Sequence, residues 1–207
     1  RIRKRFRKRC QELMEMVKVT NSQLRELEIP EKVYEKILKI KAFTFDIDGV
    51  MTGGSIFVAE SGDFLRTYSA KDGFGLRMAS MGGYRLGIIT GAHSDTVEKR
   101  FRFFGFGGTD IYLASKDKIA DFNKFCTKYA LKPEEVLYCG DDVPDAPVLA
   151  ACGLGICPAD AMEEAKLCAD YVSIFPAGAR FVREIIEIVM RAQGKWTFDV
   201  SKYEKSY

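Results

Sequence analysis

The sequence predicts an α/β fold in which a parallel sheet carries helices on both faces, with a β-hairpin inserted after the first strand. From residue 40 onward, apolar runs of strand length alternate with amphipathic helical stretches. Three of those runs stop abruptly in polar, glycine-containing turns at 46–49, 90–91 and 140–142. Two runs at 55–58 and 64–68 flank Ser61-Gly62-Asp63, a turn sequence suited to a hairpin.

Each element follows in order. Residues 1–39 lack strand patterning and predict helices at 11–19 and 31–40, with Pro30 suited to the first turn of the second. The first strand is 42–45. After the hairpin come a helix at 73–81 and a strand at 84–89 that enters Thr90-Gly91. A helix at 94–104 ends at Gly105, and a strand at 110–113 and a helix at 116–129 follow. The strand at 136–139 enters Gly140-Asp141-Asp142. Helices at 145–151, 162–168 and 181–193 alternate with strands at 154–157 and 171–174. The reading divides the chain into a basic leader (1–39), one Rossmann-like three-layer domain (40–196) and a polar tail (197–207). Ligands of such sheets bind beyond the carboxyl ends of the strands.

The 207 residues suffice for one domain with a real core, and 47% apolar with 29% charged residues is an ordinary globular profile. The apolar runs are too short to span a membrane, and no apolar segment follows the basic N-terminus as a signal peptide would require. The absence of an initiator Met suggests a trimmed or partial N-terminus. Six cysteines form no CxxC pair and read as reduced core thiols of a cytoplasmic protein. Residues 1–41 hold thirteen basic and six acidic side chains, so with a net charge of +3 overall the remainder carries 3 − 7 = −4. The basicity belongs to the leader, read as a solvated helical extension rather than a nucleic-acid or membrane contact.

The chemistry lies at the strand ends. Phe43-Thr-Phe-Asp46-Ile-Asp48-Gly49 delivers two carboxylates from a buried strand into a tight turn. Such groups repel and resist desolvation, which a divalent cation between them would offset. Hard cations such as Mg²⁺ take carboxylate and phosphate oxygens. Parallel strands bring Thr90, Asp141, Asp142 and Asp145 to the same edge, and Lys118 begins a nearby helix. Carboxylates call for a metal; lysine and hydroxyl call for an anion. An Mg²⁺-dependent phosphate site satisfies both.

These motifs, DxDGV, a strand into Thr-Gly, a lysine, and GDD with a further Asp, resemble the haloacid dehalogenase superfamily of phosphohydrolases. The resemblance implies that Asp46 is the nucleophile forming an aspartyl-phosphate. It implies that Asp48 is the acid and base, its backbone carbonyl joining the metal shell. Thr90 would bind phosphoryl oxygens, Lys118 would offset charge, and Asp141 would ligate Mg²⁺ with support from Asp142 and Asp145. Thr90 follows Asp46 by 44 positions and Lys118 follows Thr90 by 28, which leaves no room for a cap domain. The capless branch implies a homotetramer built through the hairpin at 55–68.

Within that branch, Lys71-Asp-Gly-Phe-Gly75, Ile88-Ile-Thr-Gly91, Cys157-Pro-Ala-Asp-Ala161 and Val182-Arg-Glu184 resemble the phosphatases of 3-deoxy-D-manno-octulosonate 8-phosphate (KDO 8-phosphate), enzymes of lipopolysaccharide sugar biosynthesis. The similarity implies an acidic keto-deoxy sugar phosphate as substrate. The alternatives are a nine-carbon, sialic-acid-type 9-phosphate or a non-catalytic tetramerisation module. Asp72, Gly91, His93 and Arg180 are candidate substrate or supporting residues. Arg66 and Arg77 are candidate contacts for the sugar carboxylate, but each reads more readily as a surface residue. The sequence departs from that family where Pro176-Ala-Gly-Ala-Arg-Phe181 replaces a glycine-rich tail, and where Ala92 follows Thr90-Gly91 in place of the usual Arg.

Overall fold

The computed structural model describes residues 29–107 and 110–196. The helix expected at 11–19 and the tail at 197–207 lie outside the described residues. The elements are α1 (Glu31–Ile37), β1 (Ala42–Phe45), β2 (Phe57–Val58), β3 (Phe64–Leu65), α2 (Ala70–Met81), β4 (Arg85–Ile89), α3 (Asp95–Arg102), β5 (Ile111–Tyr112), α4 (Lys118–Lys128), β6 (Val136–Cys139), α5 (Ala146–Ala151), β7 (Leu154–Cys157), α6 (Glu163–Cys168), β8 (Tyr171–Val172) and α7 (Phe181–Ala192).

Six strands form one parallel sheet in the order β5-β4-β1-β6-β7-β8. The chain steps outward from β1 to β4 and β5, then crosses back to β6 and steps the other way. The direction therefore reverses between β1 and β6, the place where such sheets open a ligand crevice. Register sets its floor: Phe45 pairs Ile88 on one side and Cys139 on the other. Asp46, Thr90 and Asp141 each follow within two residues of those pairs.

The strands of the sheet centre are buried on both faces, so β1, β6 and β7 are apolar throughout rather than alternating. Phe43 and Phe45 of β1 face a core shared with α1, α2, α3 and α7. Ala42, Val136 and Tyr138 face a second core with Phe122 and Phe125 of α4, Val148 and Leu149 of α5 and Ala165 of α6. The expected three layers are present. α7 contributes the widest apolar stripe and packs on α2.

Differences from the sequence reading are local. α2 starts three residues early because Ser69 caps it, its hydroxyl accepting from Asp72 N–H at 3.3 Å. Gly73 and Gly75 had obscured that start by weakening the helical signal. Residues 143–145 form a 3₁₀ turn before α5, with Pro144 at its first turn. β2 and β3 form the antiparallel hairpin, with Phe57 opposite Leu65 and Val58 opposite Phe64. It makes a sheet of its own. Among the described residues no helix is long and apolar enough to cross a membrane.

α1, which the sequence assigned to the leader, packs against α7 and β7 through Val33 and Ile37. Gln193 ties it down by donating to the carbonyls of Ile37 and Ile40, both at 2.8 Å, and Lys36 pairs with Asp170 at 2.5 Å. A helix of seven residues has no stability of its own in water, so packing holds it. We expect Ile37→Ala, which truncates a side chain only 2% exposed, to cost about 2–4 kcal/mol in urea unfolding; a negligible loss would show that α1 is peripheral.

Candidate active site

β1 ends by turning Asp46 into the crevice, where the residue is 7% exposed. Lys118, at the first position of α4, reaches it with Nζ 3.0 Å from Asp46 Oδ2. The same ammonium lies 2.6 Å from Asp145 Oδ1. Asp145 is fully buried and organises the loop after β6. Its Oδ2 accepts from the N–H groups of Asp141 (3.0 Å) and Asp142 (3.3 Å), and Tyr138 O–H donates to its Oδ1. One side-chain oxygen from each of Asp46, Asp141 and Asp145 lies within 4.8 Å of the others.

The charge balance is incomplete. Three carboxylates meet one lysine. Among the described residues, Asp46 Oδ1 and Asp141 Oδ1 are buried without a hydrogen-bond partner. Buried carboxylate oxygens left unpaired are costly. Accordingly burial, then the charge of Asp145, pushes Asp46 up to about 6 against the opposing pull of Lys118. Burial, then Asp46 and Asp145, pushes Asp141 up to about 7. Burial pulls Lys118 down, but Asp46 and Asp145 outweigh it and hold the ammonium above its ordinary value. Two orphaned hard oxygens, on carboxylates that each bring one oxygen within 4.8 Å of the other, fit a divalent cation with oxygen preference.

Gly49 lets these groups converge. Its φ is +86°, and a Cβ there would come within 1.9 Å of Asp141 Oδ2. The turn after β1 and the loop after β6 touch only because that atom is missing.

Asp48 faces elsewhere. Arg66, just past β3, forks onto it with Nε 2.7 Å from Oδ1 and Nη2 2.8 Å from Oδ2. Thr52 Oγ1 adds a contact at 3.3 Å. Arg66 is not a surface residue: its side chain is 7% exposed. Thr90 is buried at the end of β4, and its hydroxyl accepts from Ala92 N–H at 3.2 Å.

The other candidates lie around this centre or away from it. Asp142 is exposed and caps the 3₁₀ turn through Val143 N–H at 2.7 Å. Gly91 and His93 are exposed on the loop after β4. Asp72 is buried and accepts from Arg183 N–H (2.8 Å) and Arg180 N–H (3.2 Å), which ties α2 to the start of α7. Arg180 is exposed, left-handed at φ 82°, with its guanidinium 4.7 Å from the Phe175 ring centroid. The segment 175–180 packs on this chain's own loop after β1: Gly178 N–H donates to Val50 C=O at 3.1 Å. Sequence reasoning treated Arg66 as surface and did not single out Tyr138. The only available signal was the hairpin's return strand leading Arg66 back toward the DxD turn.

A haloacid dehalogenase-like hydrolase family model matches residues 69–153. The 3-deoxy-D-manno-octulosonate 8-phosphate phosphatase of Escherichia coli strain K12 is 35% identical over 163 residues, which cover 79% of this chain and 86% of the relative. The chain belongs to the haloacid dehalogenase-like hydrolases and is a phosphatase. Among solved haloacid dehalogenase-like relatives, the KDO 8-phosphate phosphatase of Yersinia pestis superposes with a TM-score of 0.78 at 31% identity, covering 81% of this chain and 89% of that one. The enzyme from Moraxella catarrhalis, solved with magnesium, phosphate and KDO, gives 0.77 at 29% identity over 80% and 94%. Membership of this family accords with the oxygen cluster at the β1/β6 crevice.

Raised carboxyl values have a stability consequence. Asp46 and Asp141 bind their protons more tightly folded than unfolded, so their contribution is complete below the ordinary value of 3.8 and is lost as pH rises through about 6 and about 7. The chelated protein should therefore melt at lower temperature at pH 8 than at pH 5, and millimolar Mg²⁺ should recover most of the loss at pH 8. A melting profile flat across that range, or indifferent to Mg²⁺, would contradict the cluster's charge balance.

Proposed function

We propose that the enzyme hydrolyses the phosphomonoester of an acidic keto-deoxy sugar, KDO 8-phosphate, to KDO and inorganic phosphate through an aspartyl-phosphate on Asp46, with Mg²⁺ as cofactor in the cytoplasm. The observation that carries the reading is the split environment of Asp46: Lys118 on one carboxylate oxygen, a buried, unpartnered second oxygen, and the Asp141 and Asp145 carboxylates within 4.8 Å. The substrate assignment draws on relatives at 31–35% identity named for KDO 8-phosphate and on the Moraxella catarrhalis complex.

Bound at Asp46, Asp141 and the Asp48 carbonyl, Mg²⁺ would supply positive charge against the phosphate dianion. The chain's residues do the rest. Lys118 shields the negative charge of Asp46 so that it can approach phosphorus. Thr90 has its oxygen engaged by Ala92 N–H and keeps its own O–H to donate to a phosphoryl oxygen. As the Asp46 oxygen–phosphorus bond forms, the bond from phosphorus to the sugar oxygen breaks and Asp48 gives that oxygen its proton. Water then attacks phosphorus, Asp48 takes a proton from the water, and Asp46 is released. Splitting one difficult displacement in two, on a charged and preorganised site, is how the barrier falls.

Asp46→Asn should remove phosphate release from KDO 8-phosphate while leaving the circular-dichroism spectrum and the size of the assembly intact. Retained turnover would remove Asp46 as nucleophile. A phosphate-release screen across sugar phosphates should place KDO 8-phosphate first; a nine-carbon 9-phosphate ahead of it would transfer the assignment to that class.

The hairpin supports a homotetramer. Phe57, Val58, Phe64 and Leu65 are each more than half exposed, on a two-stranded ribbon that could not be stable alone in water. Sedimentation should show four copies in the assembly, and a fully active monomer would refute a role for the hairpin.

A further inference from the structure

Asp48 must lend an oxygen to the leaving group and then to water, yet both of its oxygens are taken by the fork of Arg66 at 2.7 and 2.8 Å. Its carboxylate also stands outside the oxygen cluster of Asp46, Asp141 and Asp145. In this state Oδ1 of Asp48 is shared by Arg66 and Thr52, and Oδ2 keeps one lone pair beside its Arg66 contact. Two parallel charge-assisted hydrogen bonds form one of the strongest polar contacts available to a side chain. Drawing the guanidinium away would free both oxygens for proton transfer.

What competes best for a planar fork is another planar pair of oxygens. The surroundings of Arg66 hold further unused polar capacity. Tyr68 lies two residues on, within reach of the charges of Arg66, Asp48 and Arg100. The Arg100 guanidinium sits 4.4 Å from the Tyr68 ring centroid. Among the described residues, Tyr68 O–H and Arg100 Nε are buried and lack a hydrogen-bond partner. Arg66 and Arg100 both act on Tyr68, so the ground beside Asp48 carries two cations.

We propose that Arg66 parks the Asp48 carboxylate in the free enzyme and exchanges it for the carboxylate of the incoming sugar, so that Asp48 is released only when an acidic substrate is seated. The exchange moves a guanidinium from one carboxylate to another and conserves charge, and the freed Asp48 takes up one proton from solvent, which it then gives to the leaving oxygen. It makes the hairpin strand β3 a sensor of the sugar's acid group as well as a structural insertion. The inference rests on the acidic-substrate reading above.

The test compares kcat and KM of wild type, Arg66→Ala and Arg66→Lys on KDO 8-phosphate and on ribose 5-phosphate, which has no carboxylate. Arg66→Ala should lower kcat/KM for KDO 8-phosphate by about 10–100-fold, the scale of a charge-assisted pair. The same variant should raise kcat on ribose 5-phosphate, because Asp48 is no longer held. Arg66→Lys keeps the charge without the fork and should fall between the two on both substrates. A parallel loss on both substrates would overturn the proposal and leave Arg66 as a support for Asp48. A kcat on ribose 5-phosphate that stays level or falls would overturn the parking. A wild-type enzyme with no preference for KDO 8-phosphate would instead defeat the acidic-substrate reading, and the ribose 5-phosphate rate alone would then decide whether Asp48 is parked.

Discussion

The burial of three carboxylates around one lysine is the constraint on which the rest of this structure depends. Asp46, Asp141 and Asp145 are drawn together at the end of the sheet with, among the described residues, only Lys118 to balance them. Asp145 settles its own position completely, accepting from Lys118, Tyr138 and two backbone N–H groups. Asp46 and Asp141 do not, and each keeps a buried oxygen unpaired. A fold can maintain that imbalance only if its surroundings are stiff. Here the stiffness comes from a sheet buried on both faces and from Tyr138, wholly inside the core, bracing Asp145 from below. The polar cost concentrated in the crevice is what makes it receptive to a cation and a phosphate.

Several features follow from the need to bring two loops into contact. The reversal of strand order between β1 and β6 places the DxDG and GDD turns side by side. Gly49 removes the one atom that would keep them apart. The 175–180 segment then closes on the loop after β1, so the region that departs most from the expected tail sequence folds back on its own chain. Asp72, a candidate for substrate contact, is occupied in joining α2 to α7. Its burial and its backbone partners make it a mechanical link between the two helices that cover one face.

The hairpin joins two roles. Its outer surface is apolar and exposed, while its return strand sends Arg66 inward to Asp48. Whatever packs against the hairpin therefore acts on the same short ribbon that holds Asp48 through Arg66.

Much of this was legible in the sequence because local patterns encode it. Alternating apolar strands and amphipathic helices specify a parallel sheet, and a two-carboxylate turn followed by glycine specifies a site at a strand end. The spacing of Asp46, Thr90, Lys118 and Asp141 along successive elements was enough to place them on one edge. Element ends were less legible, as at α2, where Ser69 supplies a cap that Gly73 and Gly75 hid. What only the tertiary structure decided are the contacts between residues distant in sequence. That Arg66 turns inward to Asp48, that Tyr138 braces Asp145, that α1 belongs to the core and that Asp72 caps α7 each depend on packing between separate elements. No periodicity in the chain records such pairings, because the direction of a long side chain is set by its neighbours in space and not by those in sequence.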